Sequence, residues 1–378
     1  MRSARILIAV LLLIGAWSAA KAEIIVGVSV SGTGPGASLG VPVRNTIEIL
    51  PRTIAGERIR FVVLDDASDP AAGNKILRQL VAESRSDVIF GSSSVPVASA
   101  QGVAANELKT PFIALCPIAL DPSKASWVFA VPQSAQMMVE GAVEHMAAGG
   151  AHSVGYIGFS DAWGDLTLRA LTQAAGTAGI KIVASERFAR TDTSVNAQVL
   201  KVMAANPDAV LVGDAGTPGA LPHITLVERG YKGRIYHGHG VVNKDFIRVG
   251  GKSIEGAIAP SGAVVVADQL PASNPLRSVG IEFLKKYEAA YGAGSRNAFA
   301  GYAYDAYLIL SAAVPQALKK AKPGTPEFRQ ALRDAIESVR DVVGTHAVYS
   351  MSATDHNGID KRARVLVQVD KGDWRLAK

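Results

Sequence analysis

The residues best able to do chemistry in this 378-residue chain sit in short glycine- or serine-rich turns after apolar runs. The first turn is "SGTGPGASLG", residues 31–40, which follows "EIIVGVSV". Its Gly32-x-Gly34-x-x-Ala37 spacing meets the relaxed form of a dinucleotide cradle, in which glycines bring backbone N–H groups to a pyrophosphate at a helix N-terminus. Such a cradle wants an acid closing the second strand about 20 residues later. Here Asp65 and Asp66 come later than that and lead into "ASDP", a helix-cap sequence, and Pro35 has no N–H to offer a phosphate. A second turn carries Ser92, Ser93 and Ser94 after "VIFG". Hydroxyls beside the free N–H groups of a helix start suit an anion, which the helix dipole favours by roughly 0.3–1 kcal/mol when exposed and up to about 2 kcal/mol when partly buried. The same serines could simply cap the helix. A third turn, "HGHG", sets His237 and His239 two residues apart. On a strand they would point the same way and could touch a metal, although no acid or thiol adjoins them.

Catalytic patterns are missing. His152, His223, His237, His239, His346 and His356 are dispersed, and no H-E-x-x-H, C-x-x-C or G-x-S-x-G occurs. The single cysteine, Cys116 in "FIALCP", excludes an intrachain disulfide and reads as a small buried apolar side chain. The chain therefore reads as a non-enzyme with no cofactor and no metal.

The elements that must position these turns alternate along the chain. Strand-like runs are "IIVGVSV", "RIRFVVLDD", "DVIFG", "PFIALC", "SVGYIGFS", "IKIVASERF", "DAVLVGD" and "RIYHG". Runs apolar on both faces suit a parallel sheet covered by helices. Between them, "SDPAAGNKILRQLVAES" has Ser68 or Asp69 as a cap, Pro70 in the first turn and a stripe of Ile76, Leu77, Leu80 and Val81. "NPLRSVGIEFLKKYEAAYG" repeats the scheme, and "AFAGYAYDAYLILSAAVPQALKKA" is a further long helix whose Phe299, Tyr302 and Tyr307 read as core. The pattern is doubly wound α/β, twice over. It ends in two strand-like runs, "GTHAVYS" and "KRARVLVQVD", joined by a turn at Asn357-Gly358. In such sheets ligands lie beyond the carboxyl ends of the strands. Those ends hold the three serines, Ser160 and Asp161, Asp214 and Gly216, and His239.

The chain opens with Arg2 and Arg5, an apolar block from Ile6 to Trp17, and "AAKAE", where Ala20 and Ala22 fit a small-x-small cleavage site. Residues 1–22 read as a signal peptide cleaved after Ala22, too short to span a bilayer comfortably. A lipoprotein anchor would need a cysteine at that point. Loss of Arg2, Arg5 and Lys21 takes the formal charge from +6 to +3, and no dense basic run exists, so a nucleic-acid partner is excluded. The remaining 356 residues exceed what one core usually serves, which argues for two domains.

In this order the turns resemble the periplasmic solute-binding proteins of ABC importers, of the branched-chain amino acid type. "GVSVSGTGPGASLG" is similar to the family's first strand and "TGP…G" loop, "LDDASDPAAG" to its "DD…DP" turn, "GSSSVPVASA" to its serine-rich third loop and "PFIALCPIALDP" to its fourth strand and P-x-x-x-x-P loop. "DAWGDL", "DAVLVGDAG", "AYDAY" and the final "NG" hairpin with "VQVDKGDW" follow in order, so the likeness spans the chain from Glu23. The resemblance implies a type I periplasmic binding fold: two doubly wound parallel-sheet lobes joined by three crossovers and closing on a ligand. It places the crossovers near Val131, Pro260 and Gly344, giving one lobe of residues 23–131 plus 260–344 and another of 132–259 plus 345–378. It further implies a periplasmic monomer that serves an inner-membrane permease and ATPase complex.

Carried over residue by residue, the resemblance assigns Ser92 and nearby amides, with Ser93 and Ser94, to the ligand's carboxylate. The fourth loop's usual threonine or serine is matched by Leu120, so that donor is lost and only backbone at Ile118 and Ala119 remains. Trp163 takes the place of an aromatic that packs over the ligand, and could also offer its indole N–H. Leu39 makes another wall apolar. The acid that meets an amino acid's ammonium is matched by His239, which cannot supply negative charge but could donate a hydrogen bond or turn partly cationic. These departures suggest a carboxylate without an α-amine: an aromatic or branched organic acid, or a 2-oxo acid. Asp161 and Asp214 weaken that inference, since either could meet an amine from another angle. The alternatives are a branched-chain amino acid ligand, a sensor of the same fold without a transport role, and an NAD-linked enzyme, the last disfavoured because nicotinamide cofactors are not expected outside the cytoplasm.

Overall fold

The computed structural model describes residues 23–119, 121 and 123–377. The expected signal peptide, Leu120 and Pro122 lie outside them. Two open sheets form separate layers. The first holds β1 (Ile24–Val30), β2 (Thr53–Ile54), β3 (Glu57–Asp65), β4 (Val88–Gly91), β5 (Phe112–Ala114) and β6 (Val128–Ala130), in the order β2-β3-β1-β4-β5-β6. All its neighbours are parallel except the β2–β3 hairpin. Helices α1 (Ala37–Ile49), α2 (Pro70–Ala82) and α3 (Val95–Glu107) alternate with these strands, and α4 (Ala135–Ala148) follows β6.

The second sheet is built from β7 (Ser153–Phe159), β8 (Lys181–Phe188), β9 (Ala209–Gly213), β10 (Arg234–His237), β11 (Ile258–Ser261), β14 (Val365–Asp370) and β15 (Asp373–Leu376), ordered β15-β14-β11-β10-β9-β7-β8. Its helices are α5 (Ala162–Ala178), α6 (Asn196–Ala204), α7 (Ala220–Glu228) and α8 (Lys244–Gly250). Three more, α9 (Leu276–Tyr291), α10 (Ala298–Leu318) and α11 (Pro326–Glu337), separate β11 from the short hairpin of β12 (Val342–Val343) and β13 (Val348–Tyr349). The helix starts follow their capping residues. Asp69, Ser134, Asp161, Asn243, Asn297 and Thr325 each accept a backbone N–H of the first turn, satisfying donors the helix cannot.

Helix α10 carries buried residues on every side because it packs against α1, α9, α11, β2 and β12 and acts as a clamp on chain segments that pass between the sheets. Thr46 of α1 donates its hydroxyl to the Ala300 carbonyl at 3.1 Å. Tyr302 donates to Gln133 (2.8 Å), and the buried Asp305 carboxylate accepts from Thr345 N (2.6 Å), His346 N (3.0 Å) and the Tyr349 hydroxyl (2.8 Å). The chain passes between the sheets after β6, after β11 and before β14, and α10 grips the first and third passages directly. The second is held by contact: a Cβ on Gly262 would lie 1.7 Å from His346 Nδ1.

One sequence expectation is corrected here. Asn357-Gly358 is not a hairpin turn between the last two strand-like runs. Residues 348–349 pair with 342–343, while β14 pairs with β11 and, across Lys371-Gly372, with β15. Asn357 instead donates to the carbonyls of Ala130 (2.8 Å) and Pro132 (3.0 Å), tying the C-terminal segment to the first passage. Turn chemistry located the bend but not its partners, because those carbonyls lie more than 200 residues upstream.

Candidate ligand-binding cleft

The carboxyl ends of the two sheets face each other across a narrow cavity. The first sheet contributes Ser93, Ser94 and Val95 at the start of α3, with Cys116 and Pro117 after β5 and Leu39 from α1. The second contributes Trp163 from the start of α5, Arg190 after β8, Ala215 after β9, and His239 and Gly240 after β10. Phe299, at the start of the clamp helix, completes the wall while remaining part of the buried core.

The serines divide their work. Ser31 donates its hydroxyl to Asp66 (2.7 Å), so at the 3.0 Å Ser31–Ser92 contact Ser92 must be the donor. Ser92 Oγ also accepts from Ser94 N at 3.1 Å. Its hydroxyl thus completes a buried network with Ser29, Asp66 and Gln101 behind the cavity wall. Ser93 and Ser94 line the cavity. The Ser93 hydroxyl is buried without a partner, and that of Ser94 makes no capping bond.

Arg190 is the feature that sequence reasoning missed. It stands two residues beyond β8, its guanidinium lies 4.1 Å over the Phe159 ring, and its Nε donates to Asp161 at 2.6 Å. Its side chain is 14% exposed. The terminal guanidinium nitrogens have no protein acceptor among the described residues, which leaves a fork suited to bidentate contact with a carboxylate. The available signal was position: the strand-end rule that singled out Ser92 and His239 applies equally to the arginine of "ERFAR".

Both acids expected near the cleft are engaged. Asp161 caps α5 through Trp163 N and Gly164 N with one oxygen and holds Arg190 with the other. Asp214 is fully buried and accepts from His237 Nδ1 (2.7 Å) and Gly238 N (3.1 Å). Burial pushes its carboxyl above the usual range, opposed by the His237 contact. The chain continues from His237 Nε2 to His223 Nδ1 at 2.8 Å, where burial, then the neighbouring His237, hold His223 down to about 2 and so uncharged. Neither acid lines the cavity, and among the described residues no other carboxylate does.

Trp163 is buried, but its indole N–H donates to the Asp214 carbonyl at 2.7 Å and is not available to a ligand. Only the ring remains, edge-to-face with His239 at 5.3 Å. His239 does line the cavity, and burial pushes its imidazole down to about 4, so it is neutral rather than partly cationic at pH 7. The paired-histidine metal geometry does not form. β10 ends at His237, which turns into the second sheet's core, while His239 lies beyond the strand. Among the described residues no group of three or more His, Cys, Asp or Glu side chains could hold a metal.

Leu39 lines the cavity from α1. Ile118 and Ala119 line a neighbouring open groove with α4, α5 and residues 354–357, not the cavity itself, and Leu120 lies outside the described residues. Gly216 sits at the rim. Thr217 N donates to Ser38 Oγ across the two lobes at 3.3 Å. Cys116 is protonated, its thiol raised far above the ordinary range by burial.

The glycine loop is not a phosphate cradle. Gly32 N, Thr33 N and the Thr33 hydroxyl all donate to Asp65, and Gly36 N donates to Ser68. Burial opposes the Asp65 charge, but hydrogen bonds from Ala67, Thr33 and Gly32 hold its carboxyl below the ordinary value. The loop's donors therefore staple it to the turn after β3.

A Leu/Ile/Val-binding protein homologue of Brucella melitensis is 25% identical over 332 residues, covering 82% of this chain and 87% of its own. The crystal structure of an extracellular ligand-binding receptor from Rhodopseudomonas palustris HaA2 is 46% identical with a TM-score of 0.92, covering 94% of this chain and all of the other. A solute-binding protein of an R. palustris ABC transporter, solved in complex with benzoate, shares the fold at 19% identity and a TM-score of 0.78, covering 94% of this chain and 95% of its own. The family model for periplasmic binding proteins matches residues 23–373, and this chain belongs to that family, with its type I fold of two parallel-sheet lobes.

Proposed function

We propose that this receptor captures a small carboxylate lacking an α-amine, an aromatic or branched organic acid or a 2-oxo acid, and delivers it to an ABC permease and ATPase complex. The observation that carries this reading is the charge inventory of the cavity: one guanidinium with free donors, two serine hydroxyls at a helix start, and no uncommitted carboxylate among the described residues. A ligand carboxylate gains charge-assisted hydrogen bonds there. A ligand ammonium would be desolvated without a counter-charge, at a cost of several kcal/mol. The name of the B. melitensis relative favours the second reading, an amino acid ligand. That reading requires uncharged acceptors alone, carbonyl and serine hydroxyl oxygens and the His239 imidazole, to hold the amine.

We take residues 23–131 with 260–344 as one lobe and 132–259 with 345–378 as the other. Because Ser93 and Ser94 belong to one lobe and Arg190 and Trp163 to the other, a ligand touching both favours the closed arrangement, and binding and closure form one linked equilibrium. Isothermal titration calorimetry of the protein from Glu23 with benzoate, 3-phenylpropanoate, 4-methyl-2-oxopentanoate and leucine tests the reading. Micromolar or tighter binding of one of the acids is expected. Tight leucine binding with no response to the acids overturns it.

A further inference from the structure

We infer that His239 reads a second polar group on the ligand, a hydroxyl or carbonyl at the end remote from the carboxylate. This deepens the carboxylate reading and rests on it. The first observation is an unsatisfied group. His239 lines the cavity and is 2% exposed, its Nδ1 is buried with no hydrogen-bond partner, and among the described residues Nε2 has none either. Every other histidine ring buried with it in the second sheet is engaged: His237 bonds Asp214 and His223. Buried polar atoms are rarely left unpaired, and one that faces a ligand cavity is accounted for by the ligand.

The second observation is topological. The strand order β8-β7-β9-β10 fixes the order of the side chains beyond the strand ends as Arg190, Trp163, Ala215, His239. Three inter-strand steps separate the backbones of the outer two, roughly 14 Å at about 4.8 Å each. The isolated bridge between Ala215 and Gly240 holds the last two loops in that register. On the second sheet's side the wall between the guanidinium and the imidazole is apolar, with the Trp163 ring and Ala215, and Leu39 and Phe299 line the same cavity from the first lobe. The cavity therefore has a charged end, an apolar middle and a neutral hydrogen-bonding end. A neutral imidazole presents one donor and one acceptor, which matches a hydroxyl in both roles and a carbonyl in one. It gives a second carboxylate no compensating charge.

The test uses matched pairs, benzoate with 4-hydroxybenzoate and 3-phenylpropanoate with 3-(4-hydroxyphenyl)propanoate, titrated into wild type, His239→Leu, His239→Asn and His239→Gln. Wild type should bind the hydroxylated member of at least one pair about tenfold or more tightly than its partner. His239→Leu should shrink that gap to about twofold while still binding the unsubstituted acid, and one of the two amide variants should restore part of it. Equal binding of both members by wild type, or a gap that survives His239→Leu, overturns the role of His239 and leaves the carboxylate reading standing. If His239→Leu does not fold, His239→Ala, which likewise has no hydrogen-bonding side chain, takes its place, and loss or survival of the gap there decides in the same way. Leucine binding with no response to any of the four acids removes the carboxylate reading, and this inference with it.

Discussion

Arg190 and the serines make separable contributions. Arg190→Met removes a desolvated guanidinium and should weaken carboxylate binding about 10- to 100-fold, since hydrogen bonds to charged groups are worth about 1.5–3 kcal/mol. Arg190→Lys keeps the charge but not the fork, and should fall between the two by calorimetry. Ser93→Ala should lower affinity, while Ser92→Ala should chiefly lower the melting temperature, because its hydroxyl is committed to Ser31 and Ser94 behind the wall. An affinity loss for Ser92→Ala larger than for Ser93→Ala would reverse the assignment of which serine meets the ligand.

At the scale of elements, the clamp helix carries a pH signature. Burial raises Asp305 to about 6 against an ordinary value of 3.8, its backbone and Tyr349 hydrogen bonds opposing the rise. The folded state therefore binds a proton more readily than the unfolded chain between those values. The favourable contribution of this group is complete below about pH 3.8 and is lost as pH rises through 6. Asp305→Asn cannot ionise, so the destabilisation it causes should shrink between pH 4 and pH 7 in chemical denaturation. The histidines act oppositely. Burial lowers His346 to about 3, as it lowers His223 and His239, so their contribution is present above pH 6.5 and lost as pH falls through the folded values. Substituting His223 should accordingly flatten the acid limb of the stability profile.

The same elements show what a one-dimensional reading can reach. "IIVGVSV" is apolar on both faces and forms β1 over those seven residues, and Asp69 and Pro70 start α2 where their types dictate. Local patterning carried the order of strands and helices because each sheet is covered on both faces and each helix start needs a cap. It could not say which polar groups at a strand end face the ligand. Ser92 and Ser93 are adjacent and chemically identical, and only a hydroxyl relay reaching back to Asp66 separates them. Nothing local marks Arg190, because its two partners, Asp161 and Phe159, lie about 30 residues upstream on another strand and helix start.

For the whole molecule, the two lobes meet at a rim contact with little slack. Gly216 has φ +67°, and a Cβ there would lie 2.9 Å from Ser38 Oγ in the facing lobe. Gly216→Val should strain the loop and hold the lips apart. The expected result is weaker binding with faster dissociation and a larger radius of gyration by small-angle scattering at saturating ligand; an unchanged radius with wild-type affinity would count against the rim as a closure element.

At the opposite edge, Gly262 leaves no room between the second passage and His346 of the third. Two neighbouring strands of chain that nest so tightly cannot slide past each other, so they must turn together. A swing about one axis, with little shear or splay, is the expected opening motion. Trapping and letting go of cargo would follow one relaxation time, and a methyl group added at position 262 should alter that time before it alters any contact with the cargo itself.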